Sequence, residues 1–182
     1  MHNPRMVDPE FDINIAIKEL TSKRKKTTED LKSIERLEWY GGLYTEDVKG
    51  KTVVVQPTSK MRKCVVETGR IHKLGKQVER ALNFEALNVP LSHDGPKLVD
   101  DMFSSGRFTS RLSVGIGQKR VMRVRPSFFP WALEADAIFL EDVMNLGELE
   151  NLVNLAGRAV GIGDNRVNGY GRFVGVVEVL NG

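Results

Sequence analysis

A glycine-rich segment close to the end of the sequence carries the residues best suited to binding chemistry. Residues 157–172 read Gly-Arg-Ala-Val-Gly-Ile-Gly-Asp-Asn-Arg-Val-Asn-Gly-Tyr-Gly-Arg and contain five of the 17 glycines. Because glycine has no Cβ, such a loop leaves backbone N–H groups open to phosphates or nucleotide edges at short range. A tight return of the chain into a following strand is the alternative use of these residues. The glycines assigned to binding are Gly161, Gly163, Gly169 and Gly171.

Cations and one aromatic residue accompany the glycines. Arg166 and Arg172 can each hold two phosphate oxygens in the fork of a guanidinium group, and Tyr170 can support a base of any kind by stacking. A second group of cations lies in a segment where polar and apolar residues alternate, so we expect arginines on the outer face of a half-buried strand. This group comprises Lys119, Arg120, Arg123 and Arg125. Together the two groups predict a track for single-stranded nucleic acid.

Other chemistry finds less support in the sequence. The Walker motif is absent, and the glycine loop follows a predicted helix and precedes a predicted strand, which is the opposite order from a dinucleotide fingerprint. His2, His72 and His93 are scattered and have no metal-ligand spacing, so we predict no metal, no cofactor and no catalytic residue. His72 in a basic loop, or His93 beside Asp94, leaves a metal-independent RNase as an alternative.

Charge is unevenly distributed along the chain. Residues 60–80 carry seven Lys or Arg against two Glu, residues 107–125 carry six Lys or Arg and no acid, and residues 126–164 carry seven acids against one Arg. This segregation predicts a site for a polyanion on one face, and subunits that could attract one another. No membrane span or secretory signal is recognisable, and the single cysteine, Cys64, excludes an internal disulfide, so we expect a cytoplasmic protein.

The elements that must position these residues follow from periodicity and capping. In the second half of the chain the pattern predicts three strands, a helix, the glycine loop and a closing strand, which favours a ferredoxin-like α+β fold with an antiparallel sheet and helices on one face. We expect a single domain over residues 1–182, with a helical N-terminal portion at 1–50 and a basic insertion or lobe at 60–105. Trp39 and Tyr40 are expected to pack in the core rather than to stack on bases. The predicted helices are 11–20, for which a strand is the alternative, one opened by Thr27 to Asp30 and ended by Gly41-Gly42, 58–67, a helical turn or two at 97–103, and 145–160. The predicted strands are 53–55, a segment from Arg107 to a turn at Gly115-Ile-Gly117, a segment that includes 122–125, 131–137, and 172 to about 180.

Several motifs resemble those of the RAMP superfamily, the RNA-binding subunits of CRISPR effector complexes, and in particular their uncharacterised phage-encoded relatives. The resemblance implies an RRM-like form of the ferredoxin fold that binds RNA in preference to DNA and oligomerises along the strand. No strand precedes the first predicted helix, so an N-terminal strand looks to be missing or replaced, and another subunit could fill that gap. The matching motifs are the glycine loop Gly161-Ile-Gly163-Asp-Asn-Arg-Val-Asn-Gly169-Tyr-Gly171-Arg-Phe, together with Lys23-Arg-Lys-Lys-Thr-Thr-Glu-Asp30, Arg36-Leu-Glu-Trp-Tyr-Gly-Gly-Leu-Tyr44 and Val121-Met-Arg-Val-Arg-Pro126 with Trp131.

The sequence therefore predicts a non-enzymatic protein that binds single-stranded nucleic acid and self-associates into an oligomer or filament, in the bacterial host cytoplasm if it is phage-encoded. One alternative is a phage interaction protein that mimics or caps a CRISPR effector complex and contacts its subunits directly. The other is the RNase named above.

Overall fold

A computed structural model gives the structure of residues 3–180, without the side chains of Ile116 and Lys119. The chain is a mixed α+β protein with small antiparallel sheets, as the sequence predicts at that level. It forms two compact units, the first from residues 1–55 and 90–132 and the second from residues 56–89 and 133–182. The chain passes from one unit to the other at residues 55/56, 89/90 and 132/133.

The first unit is built from helices in its N-terminal part and a long hairpin in its second part. Helix α2 begins with a capping box, in which the Asp30 amide donates to the Thr27 hydroxyl at 3.1 Å and the Thr27 amide donates to the Asp30 carboxylate at 2.9 Å. The hairpin turns at Gly117-Gln118. Its elements are a 3-10 turn Pro4–Val7, helices α1 (Asp12–Ser22), α2 (Thr28–Gly42) and α5 (Val99–Ser104), strand β1 (Thr45–Val48), the first five residues of β2 (Lys51–Pro57), and strands β5 (Ser92–His93), β6 (Thr109–Ile116), β7 (Lys119–Pro126) and β8 (Trp131–Ala132).

An aromatic core holds α2 against the hairpin in this unit. Trp39 is fully buried and donates its indole N–H to the backbone carbonyl of Phe108 at 2.8 Å. Phe103 lies 5.4 Å from the Trp39 ring, and Phe108 lies 5.5 Å from Phe128. Trp39 therefore serves packing, as predicted, and it fixes the face of α2 that meets β7.

The second unit packs two helices against each other beside a short antiparallel pair. Cys64 and Val65 of α3 share a buried cluster with Leu149, Leu152 and Ala156. Strands β3 and β9 pair with Leu82 opposite Phe139. Its elements are helices α3 (Thr58–Ile71), α4 (Gly75–Ala81) and α6 (Leu146–Leu155), a π turn Ala156–Val160, a 3-10 turn Arg166–Asn168, strands β3 (Leu82–Phe84) and β9 (Ala137–Phe139), and most of β4 (Asn88–Pro90).

The structure differs from the predicted elements in several places. Residues 172–180 have no strand assignment, so the predicted closing strand is not found. Of the strand expected over 131–137, only the two ends are paired, Trp131–Ala132 in β8 and Ala137 at the start of β9. Helix α3 continues four residues beyond Glu67, so the basic loop expected after it shrinks to residues 72–74. The two units do not follow the predicted portions 1–50 and 60–105, because residues 60–89 belong to the second unit and 90–105 to the first. No helix within residues 3–180 has the length and apolar character that a bilayer span requires.

Candidate nucleic-acid interface

The candidate residues form two groups, one in each unit, and each group is described by itself. The glycine loop, residues 161–172, belongs to the second unit, and the cations of strand β7 belong to the first. Lys119 begins β7, but its side chain lies outside the described part of the structure, as does the whole of His2.

The two ends of the glycine loop pack backbone against backbone. The Ile162 amide donates to the Gly171 carbonyl at 2.9 Å, and a Cβ at Gly161 would lie 2.8 Å from that same oxygen. A Cβ at Gly171 would collide with the Ile162 carbonyl, and one at Gly157 would collide with the Phe173 carbonyl. These glycines therefore close the loop on itself, which is the structural use that the sequence left open for them.

Gly163 and Gly169 differ from the glycines that close the loop. Their φ angles are +95° and +83°, and a Cβ at either position would meet no heavy atom within 4 Å. The backbone conformation requires glycine there, but no neighbouring group fills the space beside it. At Gly163 the loop offers bare backbone to an incoming group, whereas the Gly169 amide already donates to the Arg166 carbonyl at 3.0 Å.

A groove of about 540 Å³ opens on one side of the loop. Glu67 of α3 enters it and accepts a hydrogen bond from the Arg166 guanidinium at 2.6 Å, while the Lys63 ammonium lies 4.0 Å from the other Glu67 oxygen. Arg172 donates to the Arg166 carbonyl at 3.3 Å, which leaves its guanidinium with no carboxylate partner in the described structure. The lining residues are Glu67, Ala159, Val160, Gly163, Asp164, Asn165, Arg166, Val167 and Arg172.

Arg166 was expected to be available for phosphate, and the structure shows it engaged. Its side chain is 34% exposed and its charge is balanced by Glu67, which lies 99 residues earlier in the chain. Sequence reasoning missed Glu67, although its position seven residues after Lys60 and four after Lys63 on one helical face was a signal of a charged surface. The groove thus contains an internal ion pair that a phosphate would have to displace.

Two side chains beside the loop are open to solvent. The Tyr170 ring is 42% exposed, as a stacking platform requires. Arg158, in the π turn, is exposed and forms no ion pair within residues 3–180. Sequence reasoning counted Arg158 only as the one cation of an acidic segment and did not assign it to the site.

The cations of β7 are more constrained than the alternation predicted. Val124 is 1% exposed as expected, but Met122 on the predicted inner face is 57% exposed. Arg123 forms an ion pair with Glu38 of α2, whose side chain is only 6% exposed. The other Glu38 oxygen accepts the Val124 amide at 2.8 Å. Arg123 therefore differs from the freely solvated arginine that was predicted, because α2 covers this edge of the strand and supplies its counter-charge, although the side chain stays 38% exposed.

The other arginines of β7 differ in their surroundings. Arg120 is exposed and reaches across the hairpin, donating from Nε to the Ser113 hydroxyl at 3.1 Å. Arg125 is half-buried, and burial, followed by the charge of neighbouring Arg123, lowers its guanidinium pKa. Arg120 is thus the member of this group that a phosphate reaches most directly.

His93 and Asp94 do not form a general-base pair. The His93 ring lies 5.2 Å from Phe128, its Nδ1 accepts the Gly95 amide at 3.0 Å, and burial lowers its pKa. The Asp94 carboxylate accepts a hydrogen bond from Arg107 at 2.6 Å, which lowers the pKa of that carboxyl. His72 is exposed at the C-terminal cap of α3. Within residues 3–180 no three His, Cys, Asp or Glu side chains gather as a metal site would require.

Comparisons of the chain with protein-family models, with curated proteins and with solved structures found no match.

Proposed function

We propose that the protein binds single-stranded nucleic acid, RNA in preference to DNA, without catalysing a reaction on it, and that its copies associate along the strand. The observation that carries the proposal is the glycine loop, where bare backbone at Gly163 occurs together with an exposed Tyr170 and an Arg172 that has no carboxylate partner within residues 3–180. Backbone amides and a guanidinium suit phosphate, and an aromatic ring suits a base of any identity. The proposal places the protein in the cytoplasm, where it would meet such strands.

The groove is of a suitable size for part of a nucleotide chain. Its volume of about 540 Å³ falls within the roughly 300–1,000 Å³ of pockets that hold small organic groups. Its charged lining consists of Glu67, Asp164, Arg166 and Arg172, whose formal charges cancel. Binding there would therefore depend on how easily Arg166 exchanges Glu67 for phosphate.

We extend the proposal to the fold. Along the chain β2, α3, β3, β9, α6 and residues 172–180 occur in the strand-helix-strand-strand-helix-strand order of a ferredoxin-like fold, with α4 inserted before β3 and the elements β4 to β8 inserted before β9. In this proposal β2 is the first strand, and it replaces the N-terminal strand that the sequence analysis expected to be missing. Residues 172–180 would then be the fourth strand.

The first experiment measures binding by fluorescence anisotropy with labelled RNA and DNA strands of about 20 nucleotides, and with a duplex, at about 50 and about 200 mM salt. We expect Arg172→Ala to weaken binding and to reduce the slope of log K against log salt by about 0.7, because one phosphate contact is lost. Tyr170→Leu should cost about fivefold or more through lost stacking, whereas Tyr170→Phe should retain it. Arg80→Ala is the matched control, since Arg80 is an exposed arginine of the same unit outside the groove.

Some outcomes would refute the proposal. Absence of binding at low salt, or equal losses for Arg172→Ala and Arg80→Ala, would contradict it. Cleavage of the RNA during the titration would support the RNase instead. Capture of CRISPR effector subunits by the protein after nuclease treatment would favour the interaction protein.

The second experiment tests the ion pair in the groove. Glu67→Gln removes the carboxylate that holds Arg166, so we expect tighter binding of the same RNA and a salt dependence steeper by about 0.7. Glu79→Gln serves as the control, because Glu79 pairs with Arg70 at 2.9 Å away from the groove lining. Unchanged or weaker binding in Glu67→Gln would show that the groove is not where phosphate binds.

A further inference from the structure

The closing segment, residues 172–180, has the burial pattern of a strand without a strand assignment. The Phe173 amide donates to the Gly157 carbonyl at 3.3 Å, and the segment belongs to none of the sheets within residues 3–180. Burial alternates along it, with Phe173, Gly175 and Val177 half-buried and the residues between them exposed. A Cβ at Gly175 would lie 2.5 Å from Val153 of α6, so the half-buried face packs against that helix.

The other face of the closing segment is apolar and open to solvent. Val174 is 82% exposed, Val176 is 76%, Val179 is 61% and Leu180 is 74%. β-branched residues at this density are typical of a paired strand, and an uncovered edge with apolar side chains is a template for another strand. The segment therefore has the composition of a buried strand but no strand beside it within residues 3–180.

We propose that the closing segment pairs antiparallel with the same segment of a second copy of this chain, about a twofold axis at Gly175. That register sets Arg172 opposite Glu178 on the exposed face, twice per pair, and sets Val174 opposite Val176. Opposite charges and apolar β-branched residues are favourable cross-strand neighbours. A shift by two residues in either direction puts Arg172 opposite an apolar residue, and a shift to odd pairing brings exposed positions opposite half-buried ones. The charges of the segment thus select both the partner and the register.

This inference deepens the self-association that the proposed function includes, and it rests on that function in this respect. Arg172, which the proposed function assigns to phosphate, pairs with Glu178 in the free dimer and exchanges that carboxylate for phosphate when nucleic acid binds. A twofold contact uses the same surface on both copies and closes after two. The protein without nucleic acid should therefore be a dimer, and growth along a strand would use a different surface. In this register residues 172–178 of each copy pair, and a seven-residue strand pair is smaller than a standard interface of about 800 Å² per partner, so the dimer should be sought at high protein concentration.

The test is sedimentation velocity of the full chain in the absence of nucleic acid, from about 10 to about 500 µM protein. Arg172→Glu alone sets like charges opposite each other, and so does Glu178→Arg alone, so each should weaken the dimer about tenfold. Mixing the two variants should restore it, because each mixed pair regains two opposite-charge contacts. Circular dichroism of each variant verifies that the chain is folded.

A crosslinking experiment tests the register independently. Val174→Cys chains mixed with Val176→Cys chains should form a disulfide-linked dimer under mild oxidation, because the two positions lie opposite each other. The mixture of Val174→Cys with Val179→Cys is the control and should not crosslink. The natural Cys64 does not interfere, since it is 1% exposed.

A monomer over the whole concentration range, failure of the mixed charge variants to recover, or an open series of larger particles would overturn the pairing. These results are separable from the proposed function. If the protein is a dimer that binds no RNA, the strand pairing stands and the proposed function is refuted. If it is a monomer that binds RNA, the proposed function stands and the strand pairing is refuted.

Discussion

Removing the Glu38 carboxylate tests whether α2 holds β7 in place. Glu38 is 6% exposed, pairs with Arg123, and accepts the amide of Val124, a residue that is 1% exposed. Glu38→Ala therefore leaves a buried N–H group without an acceptor and a cation without its counter-charge. The interaction joins segments 85 residues apart, so its loss acts on the tertiary structure of the first unit.

The magnitude follows from these two losses. A buried N–H without an acceptor costs about 1–3 kcal/mol. The ion pair adds only about 0.5–1 kcal/mol, because the Arg123 side chain is 38% exposed and solvent screens it. We expect Glu38→Ala to lower the free energy of unfolding by about 2–4 kcal/mol. Glu38→Gln keeps an acceptor for the amide and should cost about 1 kcal/mol.

The assay is urea unfolding followed by tryptophan fluorescence. Both tryptophans, Trp39 and Trp131, belong to the first unit, so the signal reports on the unit that contains the mutation. A double-mutant cycle with Arg123→Met, which keeps the apolar stem of the side chain, should give a coupling of about 0.5–1 kcal/mol. If Glu38→Ala changed the unfolding free energy by less than about 0.5 kcal/mol, or if the coupling were zero, the carboxylate would not be holding the strand.

Three further predictions concern the second unit. Burial lowers the pKa of the Lys60 ammonium group to about 8 from its usual 10.5. The unfolded chain therefore binds the Lys60 proton more tightly than the folded chain, and the free energy of unfolding should rise between about pH 7 and 9. Lys60→Met should remove this pH dependence. The Cys64 thiol is buried and its pKa is raised to about 11, so iodoacetamide should react at pH 8 only at the rate at which the unit opens, and denaturant should accelerate it. Gly171→Ala should disrupt the loop, because the new Cβ would collide with the Ile162 carbonyl, and faster hydrogen exchange at the Ile162 amide would show it. Gly163→Ala should lower stability by only about 1 kcal/mol, since the positive φ angle is unfavourable for alanine but no neighbouring atom blocks its Cβ. Equal effects of the two substitutions would contradict the packing assigned to the loop.

Local signals in the sequence were sufficient for the elements that depend on neighbours in the chain. Thr27 and Asp30 marked the start of α2, and the residues around Gly117 marked the hairpin, because capping and turn chemistry act over a few residues. The environment of Arg123 could not be predicted in the same way. Its partner Glu38 lies on a different element, and a period of two does not show what covers a strand.

The glycine loop was predicted as a site, but the different structural roles of its individual glycines were not. The sequence shows where the glycines are, but only the contacts of Gly161 and Gly171 show that these two close the loop while Gly163 faces open space. The closing segment shows the converse limit. Its valines predicted a strand that the structure does not assign, because a strand needs a pairing neighbour that a single chain's pattern does not specify.

The runs of positive charge in the sequence overstate the field that a polyanion would meet. Of the six cations in residues 107–125, Arg107 pairs with Asp94, Arg111 with Glu35 and Arg123 with Glu38, and all three acids come from earlier segments. Folding thus places acidic partners beside three of the six cations in residues 107–125, although the sequence of this segment contains no acid.

The salt dependence of binding measures how far these ion pairs persist. Arg158 and Arg172 beside the loop have no carboxylate partner in the described structure. If these two supply the phosphate contacts of the loop, log K should fall against log salt with a slope of about −1.4, since each contact to a single strand contributes about −0.7. A slope of about −5 or steeper would mean that the ion pairs open when nucleic acid binds. In that case Glu67→Gln would steepen the slope no further, because Arg166 would already be released in the bound state.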